Sequence, residues 1–516
     1  MFGVSGTHAC RIAAALAAAT LLSSCIAVGP DFLAPAAPNT DRYTKEPLAP
    51  YTASTDVRDG HTQHFVPGRD IPQQWWKLFR SHPLNSLIAR AIKANPNVQA
   101  TLASLRAAKE GVFAQQGKYF PLVQANFNPT NQKTSNDLTP IPASGANVFD
   151  LHTAQLLVSY NLDVWGLNRR TVESLEALAD AQRFQFEAAY LALTANVVVA
   201  AIQEASLRAQ IDATNQLIAV NTRMLGILHR QLEAGYANRS EVAAQEAALA
   251  QIRATLPPLQ RALAITRDLL AALAGGYPSV EPYEKFTLDA LQLPLDLPVS
   301  LPSQLVEQRP DVRAAEEQLH SASAQIGVAT ANMLPNFNIT ANGGYTALTL
   351  AGLLSPPNAM WLLAGNVTQT VFDGTTLLHQ RRAAEATYDQ AAWLYRNTVI
   401  GALQNVADAL RAIQFDAETL RAARDFERAA QISLNLAREQ VEAGNANVLL
   451  LLNAQTAYLQ ALLTVVRARA DRLSDTAALF QALGGGWWNR GKPPSEKILD
   501  VGAEQPVTLI DKYNFY

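Results

Sequence analysis

The chain has 516 residues, of which 49% are hydrophobic and 16% are charged, and its formal net charge is −3 at pH 7. So large an apolar share excludes a disordered chain, which could not bury enough surface to fold. The near-neutral charge balance gives no basic surface for nucleic acid, so we expect no nucleic-acid partner.

Residues 1–24 have the pattern of a signal peptide for export. A weakly positive start is followed by an apolar core at 12–22, and small residues then precede Cys25, as cleavage by a signal peptidase requires. Because Cys10 falls inside the signal, Cys25 is the only cysteine of the mature chain and cannot form an internal disulfide. An ordinary signal peptide followed by an incidental cysteine is the alternative.

A cysteine at the new N-terminus is an acceptor for lipid, and we predict that Cys25 carries S-diacylglycerol and N-palmitoyl groups. Ile26 follows it; an Asp at this position commonly retains such proteins in the inner membrane, so Ile26 favours the outer membrane. Residues 25–74 are rich in Pro, Thr, Ala and Asp and lack periodicity, which predicts an extended, acylated tether. His61 and His64 within it are interpreted as exposed residues, because no further metal ligand is near.

Each half of the chain then has a helical stretch followed by strand-like alternation. Pro96 and Pro310 are predicted to mark a helix junction or kink, since proline suits a helix start better than an interior. The segment 155–165 has the length of a membrane-spanning strand, about 9–11 residues, and the alternating pattern of one. A half-buried soluble sheet has the same period and is the alternative. The four strand-like segments are 123–128, 155–165, 336–345 and 363–372.

Two very long helices follow the strands, at 171–234 and 383–443. Neither contains Pro and each contains one Gly, so at 1.5 Å per residue each would be roughly 90–95 Å long. Part of the first has the alternating four- and three-residue spacing of a coiled coil. Each is followed by a returning helix, and Pro257 and Pro258 predict a break in the first of these.

Related sequences connect each long helix to its return: QLEAGYAN begins at Gln231 and QVEAGNAN at Gln440, a separation of 440 − 231 = 209 residues. Gly235 and Gly444 fit the left-handed position that ends a helix. Other landmarks recur at nearly the same spacing, which is too long for a solenoid repeat, and we infer an internal structural duplication. The predicted segments after the tether are a first repeat at 75–276, a linker at 277–300, a second repeat at 301–486 and a C-terminal tail at 487–516.

Several of these stretches resemble the TolC-type outer-membrane efflux factors, in the acylated branch that partners resistance–nodulation–division pumps. The resemblance covers essentially the whole chain. The matching stretches, besides Cys25 and the two glycine turns, are Val28–Phe32, Trp75–Phe79, Arg309–Glu316 and Ala324–Val328.

The resemblance implies a mostly α fold with a small membrane β part, assembled as a homotrimer. Each chain would give four strands to a shared twelve-stranded outer-membrane β-barrel, continuous with a long periplasmic α-helical barrel. The sequence independently requires pooling of strands, because an open strand edge cannot face lipid and the smallest closed bacterial barrels have about eight strands.

We interpret the chain as the passive exit duct of a tripartite efflux system in the outer membrane. It would conduct drugs or other small toxic solutes delivered by a periplasmic adaptor and an inner-membrane resistance–nodulation–division transporter. The alternatives are a type I-like secretion tunnel for a polypeptide and a non-channel periplasmic coiled-coil adaptor lipoprotein. No enzyme and no cofactor are predicted, because the sequence has no nucleophile elbow and no convincing metal spacing.

The resemblance also implies that the tips at Gly235 and Gly444 dock the adaptor and form the periplasmic gate. Many family members place acidic residues six and nine positions after the second tip glycine, where this chain has Leu450 and Asn453. The first tip keeps an acid, Glu241, and three copies would form a ring of carboxylates that attracts cations. The alternative is that Glu241 pairs with Arg239 or with a neighbouring chain on the outer face.

Overall fold

The structure is a computed structural model, and it describes residues 27–135, 137, 147–279 and 284–490. Over these residues the chain is mostly helical, as the sequence predicts. The predicted signal at 1–24, the predicted lipid site Cys25 and the end of the predicted tail lie outside the described residues.

The two halves of the described chain follow one order of elements: two helices in series, two long strands and a long helical hairpin. The helices are α1 (His82–Ala94), α2 (Pro96–Gln116), α3 (Leu167–Glu233), α4 (Arg239–Leu273), α5 (Pro302–Gln308), α6 (Pro310–Ala331), α7 (Thr376–Glu442) and α8 (Val448–Ala482). The strands are β1 (His64–Pro67), β2 (Leu122–Lys133), β3 (Val148–Leu162), β4 (Asp296–Val299), β5 (Asn336–Ala347) and β6 (Ala359–Thr368). Helices α3 and α7 have 67 residues each, and α4 and α8 have 35 each.

The chain divides into two compact units. The first, which we call the strand unit, consists of Met1–Pro35, Ala103–Arg183 and Ala314–Asn397. The second, which we call the helix unit, consists of Ala36–Leu102, Phe184–Arg313 and Thr398–Tyr516. The four long strands belong to the strand unit, and the turns of both helical hairpins belong to the helix unit.

An antiparallel sheet of four strands, in the order β2-β3-β5-β6, organises the strand unit. On one face, Val123 lies opposite Val158, which lies opposite Ala341. On the other face, Asn161 lies opposite Asn338, whose Nδ2 donates to Asn161 Oδ1 at 2.5 Å. The sheet is therefore amphipathic. Its end strands β2 and β6 are each paired on one side only within the described chain.

The four long strands occupy the segments whose alternation predicts strands, but their ends differ. Strand β3 ends at Leu162, three residues before the predicted end at Trp165. The cause is Asp163, whose carboxylate accepts the backbone N–H groups of Asn168 and Arg169 at 2.8 and 3.0 Å. It thereby satisfies free donors in the first turn of α3, as an N-cap side chain does.

The helix junctions predicted at the two prolines are confirmed. Helix α1 ends at Ala94 and α2 begins at Pro96. Between them, Asn95 Oδ1 accepts from Val98 N at 3.3 Å, and its Nδ2 donates to Leu273 O at 3.0 Å. In the second half Arg309 has the corresponding place between α5 and α6.

Aromatic side chains form the centre of the helix unit. Trp75 is fully buried and stacks on Phe480 of α8, with ring centroids 5.4 Å apart. Trp76 and Phe79 meet Trp75 edge-on. Helix α8 ends at Ala482, just beyond this cluster, and Gly484 follows with φ +93°.

The prediction of an extended tether over 25–74 is wrong for residues 52–67, which contact distant parts of the helix unit. Strand β1 pairs in parallel with β4, and the fully buried Gln63 donates to Pro294 O at 2.9 Å. Arg472 of α8, also fully buried, donates to Thr52 Oγ1 at 3.0 Å and to Asp59 O at 2.9 Å. Backbone pairing with β4 and hydrogen bonds from Arg472 therefore hold in place a segment whose composition alone resembles a linker.

The break predicted at Pro257 and Pro258 is also absent, because α4 continues through both residues. Both prolines are exposed, and so are Arg253 and Ala254 one turn earlier, whose carbonyls lose their intrahelical donors. Water can hydrate those carbonyls, so the helix continues despite the two missing hydrogen bonds.

Candidate adaptor-docking and gate site at the helical tips

Both hairpin turns in the helix unit have the same backbone geometry. Gly235 has φ +74° and Gly444 has φ +72°. After α3, Tyr236 N donates to Gln231 O at 2.8 Å, and after α7, Asn445 N donates to Gln440 O at 2.8 Å. This is the Schellman arrangement that closes a helix with a left-handed residue. The structure therefore places Gly235 and Gly444 where the sequence predicts the helix ends.

The returning helices begin in the same way, with an asparagine cap. Asn238 Oδ1 accepts from Glu241 N at 3.0 Å, and Asn447 Oδ1 accepts from Leu450 N at 3.1 Å. Glu241 and Leu450 therefore occupy the same position, the third residue of α4 and of α8.

The two tips differ in what that third residue does. The carboxylate of the half-buried Glu241 accepts the backbone N–H of Asn238 at 2.9 Å, which completes a capping box. Leu450 has no acceptor to offer, so the second tip has only half of that motif. The structure therefore gives Glu241 a local role as a helix cap, which is neither the predicted carboxylate ring nor the alternative ion pair. The spacing Asn-x-x-Glu in the sequence could have indicated this cap, but the prediction missed it.

The start of α8 in the second tip presents neutral side chains on the single chain. Leu450 is 42% exposed and Asn453 is also exposed. They are three residues apart on a helix and so share one face. Leu451 and Leu452, between them, are buried in the packing of the tips.

A small apolar cluster joins the two tips. Leu228 of α3, Val242 of α4, and Val448 and Leu452 of α8 are buried together. The sequence alone does not distinguish Val242 and Val448, which lie within the first turns of their helices. Burial here means that the position of one tip depends on the other.

A buried polar contact joins α3 and α4 further along the first hairpin. Gln245 of α4 is fully buried and its Nε2 donates to Asn221 Oδ1 at 3.0 Å, while Asn221 Nδ2 donates to Leu217 O at 2.9 Å. Asn221 is one of the two positions at which the coiled-coil spacing of α3 lacks Leu or Ile. A buried amide at such a position fixes the register of the two helices, because any shift would leave it without a partner.

A pair of carboxyl groups lies between α7 and α8 in the helix unit. Burial raises the pKa of Asp416 to about 8, and the hydrogen bond with Asp475 adds to the shift. Burial also raises the pKa of Asp471 on the same helix as Asp475. Within the described ranges, no group of three or more His, Cys, Asp or Glu residues is arranged to hold a metal ion.

We expect Asp416→Asn to raise the melting temperature by a few degrees at pH 8 and to have little effect near pH 4. Because the folded-state pKa lies above the unfolded one, the folded state keeps a proton that the unfolded state loses. Stability therefore falls as pH rises from about 4 to about 8 and then levels off. Thermal unfolding of the assembled protein followed by circular dichroism at both pH values measures this. The control is Asp408→Asn at an exposed position of α7, and an equal shift at both pH values would contradict the assignment.

Comparison with known proteins agrees with this geometry. A sequence profile described as "Outer membrane efflux protein" matches residues 87–276 and 301–485. The antibiotic efflux pump outer membrane protein ArpC of Pseudomonas putida is 27% identical over 474 residues, covering 92% of this chain and 95% of ArpC. The solved outer-membrane channel OprN is similar with a TM-score of 0.78 and 25% identity, covering 89% of this chain and 99% of the other. The Campylobacter jejuni CmeC outer membrane channel has the same fold, with a TM-score of 0.81 at 19% identity over 92% of this chain and 98% of CmeC. The chain is an efflux protein of the outer membrane and belongs to the outer membrane efflux protein family.

Proposed function

We propose that the chain is one subunit of a homotrimeric exit duct, in which three four-stranded sheets close a twelve-stranded barrel. The observation that carries this proposal is the amphipathic sheet whose end strands β2 and β6 are paired on one side only. In lipid each unpaired backbone group costs several kcal/mol. Pairing β6 of one chain with β2 of the next removes every open edge, and twelve strands exceed the minimum of about eight.

The helical hairpins supply the second part of the proposed duct, a periplasmic α-helical barrel. Each chain contributes two hairpins, α3 with α4 and α7 with α8. Because α3 is as long as α7 and α4 is as long as α8, they support an internal duplication with repeats at 75–276 and 301–486 and a linker at 277–300. The turns at Gly235 and Gly444 would then meet a periplasmic adaptor, with the gate beside them.

The proposed cargo is drugs or other small toxic solutes, delivered by an inner-membrane resistance–nodulation–division transporter through that adaptor. The name of ArpC, an antibiotic efflux pump outer membrane protein, supports this class of cargo. A secretion tunnel for a polypeptide and a non-channel adaptor have less support, since neither corresponds to the matching family. The proposed role is conduction, not catalysis.

The proposal is tested by the state of the purified protein in mild detergent. We expect native mass spectrometry to give a trimer, because a single sheet with two open edges is not stable in a micelle. Deletion of the gene should also increase sensitivity to several drugs in a panel. A monodisperse monomer, or cross-linking ladders that stop at the dimer, would contradict the barrel.

We further propose that Cys25 is the site of S-diacylglycerol and N-palmitoyl modification and anchors the chain by lipid. Mass spectrometry of the mature N-terminal peptide is expected to show an acylated Cys25. The variant Cys25→Ser should disturb processing and trafficking and yet keep the channel fold, because the barrel holds itself in the membrane. An unmodified N-terminus at any other residue would refute the assignment.

A further inference from the structure

The first described residues of the chain, 27–32, are seated in the strand unit by one arginine. Val28 N donates to Trp165 O at 3.0 Å, just after β3. Arg170, in the first turn of α3, donates from Nε to Val28 O at 3.1 Å and from Nη2 to Ala27 O and Gly29 O, both at 3.3 Å. We call residues 27–32 the strap. Three of its consecutive carbonyls are thus bound by one guanidinium.

The strap also supplies a charge partner for that guanidinium. Arg170 Nη2 lies 2.7 Å from Asp31 Oδ1, and Nη1 lies 2.8 Å from Glu173 Oε2. The arginine side chain is only 5% exposed, whereas that of Asp31 is 85% exposed. A buried cation requires partners for its donors. Without the strap, Arg170 would lose every partner named here except Glu173.

Glycines make the room that the strap occupies. Gly29 has φ +98°, and a Cβ on it would lie 2.4 Å from Gly327 Cα in α6. A Cβ on Gly327 would lie 2.8 Å from Val28 O, and a Cβ on Gly166 would lie 2.4 Å from Ala27 Cβ. Real Cβ atoms do not approach so closely. The surface around Gly166, Arg170 and Gly327, which we call the seat, is therefore shaped for the strap.

An aromatic contact completes the seat. Phe32 stacks on His320 of α6, with ring centroids 4.4 Å apart and an interplanar angle of 13°. His320 Nε2 is 3.2 Å from Glu173 Oε1, so the carboxylate that pairs with Arg170 also holds the histidine. Val28–Phe32 therefore contacts the start of α3. In α6 it contacts His320 and the stretch Ala324–Val328, which contains Gly327.

The seat lies beside the end of the sheet that aromatic residues mark. Trp165 follows β3, and its Nε1 donates to Pro335 O, just before β5, at 2.8 Å. Tyr119, three residues before β2, is 37% exposed. Tryptophan and tyrosine concentrate where a membrane meets water, because their rings are apolar and carry a polar atom. Cys25 is two residues from Ala27, so the chain allows at most about 7 Å between them.

We propose that the turn after β3, the start of α3 and the middle of α6 form a docking site for the chain's own mature N-terminus, and that Arg170 positions the lipid anchor there. The occupant is the strap, and the partner of the resulting surface is the periplasmic leaflet of the outer membrane. The anchor would then leave the protein at the rim of the sheet. The lipid part of this inference rests on the proposed acylation of Cys25; the docking part does not.

Hydrogen exchange of the assembled protein tests the docking. Mass spectrometry would follow the N-terminal peptide that ends after Phe32. In Arg170→Met we expect its exchange to become about tenfold faster or more. Loss of the charge-assisted bonds to the strap carbonyls would release the strap, and the Val28 N–H would then lose its bond to Trp165 O. The matched control is Arg183→Met, on the same helix in an exposed pair with Asp180, with no change expected. Equal exchange in the parent and Arg170→Met would overturn the proposal.

A second variant and a second preparation keep the test decisive. Asp31→Asn changes an exposed side chain, so the fold should persist. We expect hydrogen exchange of the same peptide to become faster, but less so than in Arg170→Met. If Arg170→Met fails to assemble and Asp31→Asn exchanges like the parent, the proposal is overturned. Protein exported with a non-lipoprotein signal and carrying Cys25→Ala should keep the peptide protected. Free exchange there would mean that lipid, not Arg170, holds the strap. The mass of the peptide tests the acylation of Cys25, and the oligomeric state tests the proposed duct. Either of those proposals can therefore fail without affecting the result for docking.

Discussion

Replacing Gly444 with Val is expected to remove most of the drug resistance that the protein confers, at an unchanged protein level. A Cβ at Gly444 would meet no atom within 4 Å, so crowding is not the reason. The reason is the backbone: φ is +72°, and a β-branched residue is strained there by about 1–3 kcal/mol. The turn would open or shift, and with it the surface proposed to dock the adaptor.

The controls for this substitution separate backbone strain from side-chain bulk. Gly444→Asn adds a side chain that tolerates positive φ, and we expect resistance near the parental level. Gly401→Ala changes a glycine inside α7 that also has open space around it and should be neutral or slightly stabilising. The measurement is the minimum inhibitory concentration of several drugs, with immunoblots for protein level. Full resistance in Gly444→Val would show that the left-handed turn is not required.

Replacing Leu450 with Glu is expected to make the channel strongly cation-selective. Leu450 occupies in the second tip the position of Glu241 in the first, and Asn447 already provides the cap. The substitution would complete a capping box and, in the proposed trimer, add a ring of three carboxylates. Planar-bilayer recordings of reversal potential should show the change, together with block by divalent cations.

Glutamine separates the charge from the cap at both tips. Leu450→Gln offers the same capping geometry without charge, so it should leave selectivity as in the parent. Glu241→Gln should keep the cap of α4 while lowering cation selectivity. Since a capping box works with either residue, a change in selectivity reports charge and not unfolding of the tip. If Glu241→Gln leaves selectivity unchanged, Glu241 acts as a helix cap only and no carboxylate ring exists.

The sequence predicts the tips well because their determinants are local. A glycine in left-handed conformation acts within a few residues, and both copies of the octapeptide contain it at the same place. The asparagine caps in the same octapeptides are equally local but were not predicted. The pattern of alternation likewise predicts the strands. Their exact ends depend on single side chains, as with Asp163, which leaves the strand to cap α3.

The remaining features depend on contacts between distant residues, which periodicity does not contain. Arg472 lies in a charged run of α8 that also contains Arg467, Arg469 and Asp471. Nothing in that run indicates that Arg472 binds the segment predicted as a tether. Arg170 is similar, since its partners lie about 140 residues earlier. Pro257 reads as a helix breaker, and only its exposure in α4 explains why the helix continues.

The contact between Arg472 and Thr52 has a kinetic consequence. These residues are 420 positions apart. The chain must lose the entropy of closing so large a loop before the contact can stabilise the fold. The segment before α1 therefore cannot reach its final position until α8 has emerged from the export machinery. Folding of the helix unit therefore cannot be completed before α8 has been exported, and a chain cut before Arg472 would expose that segment to periplasmic proteases.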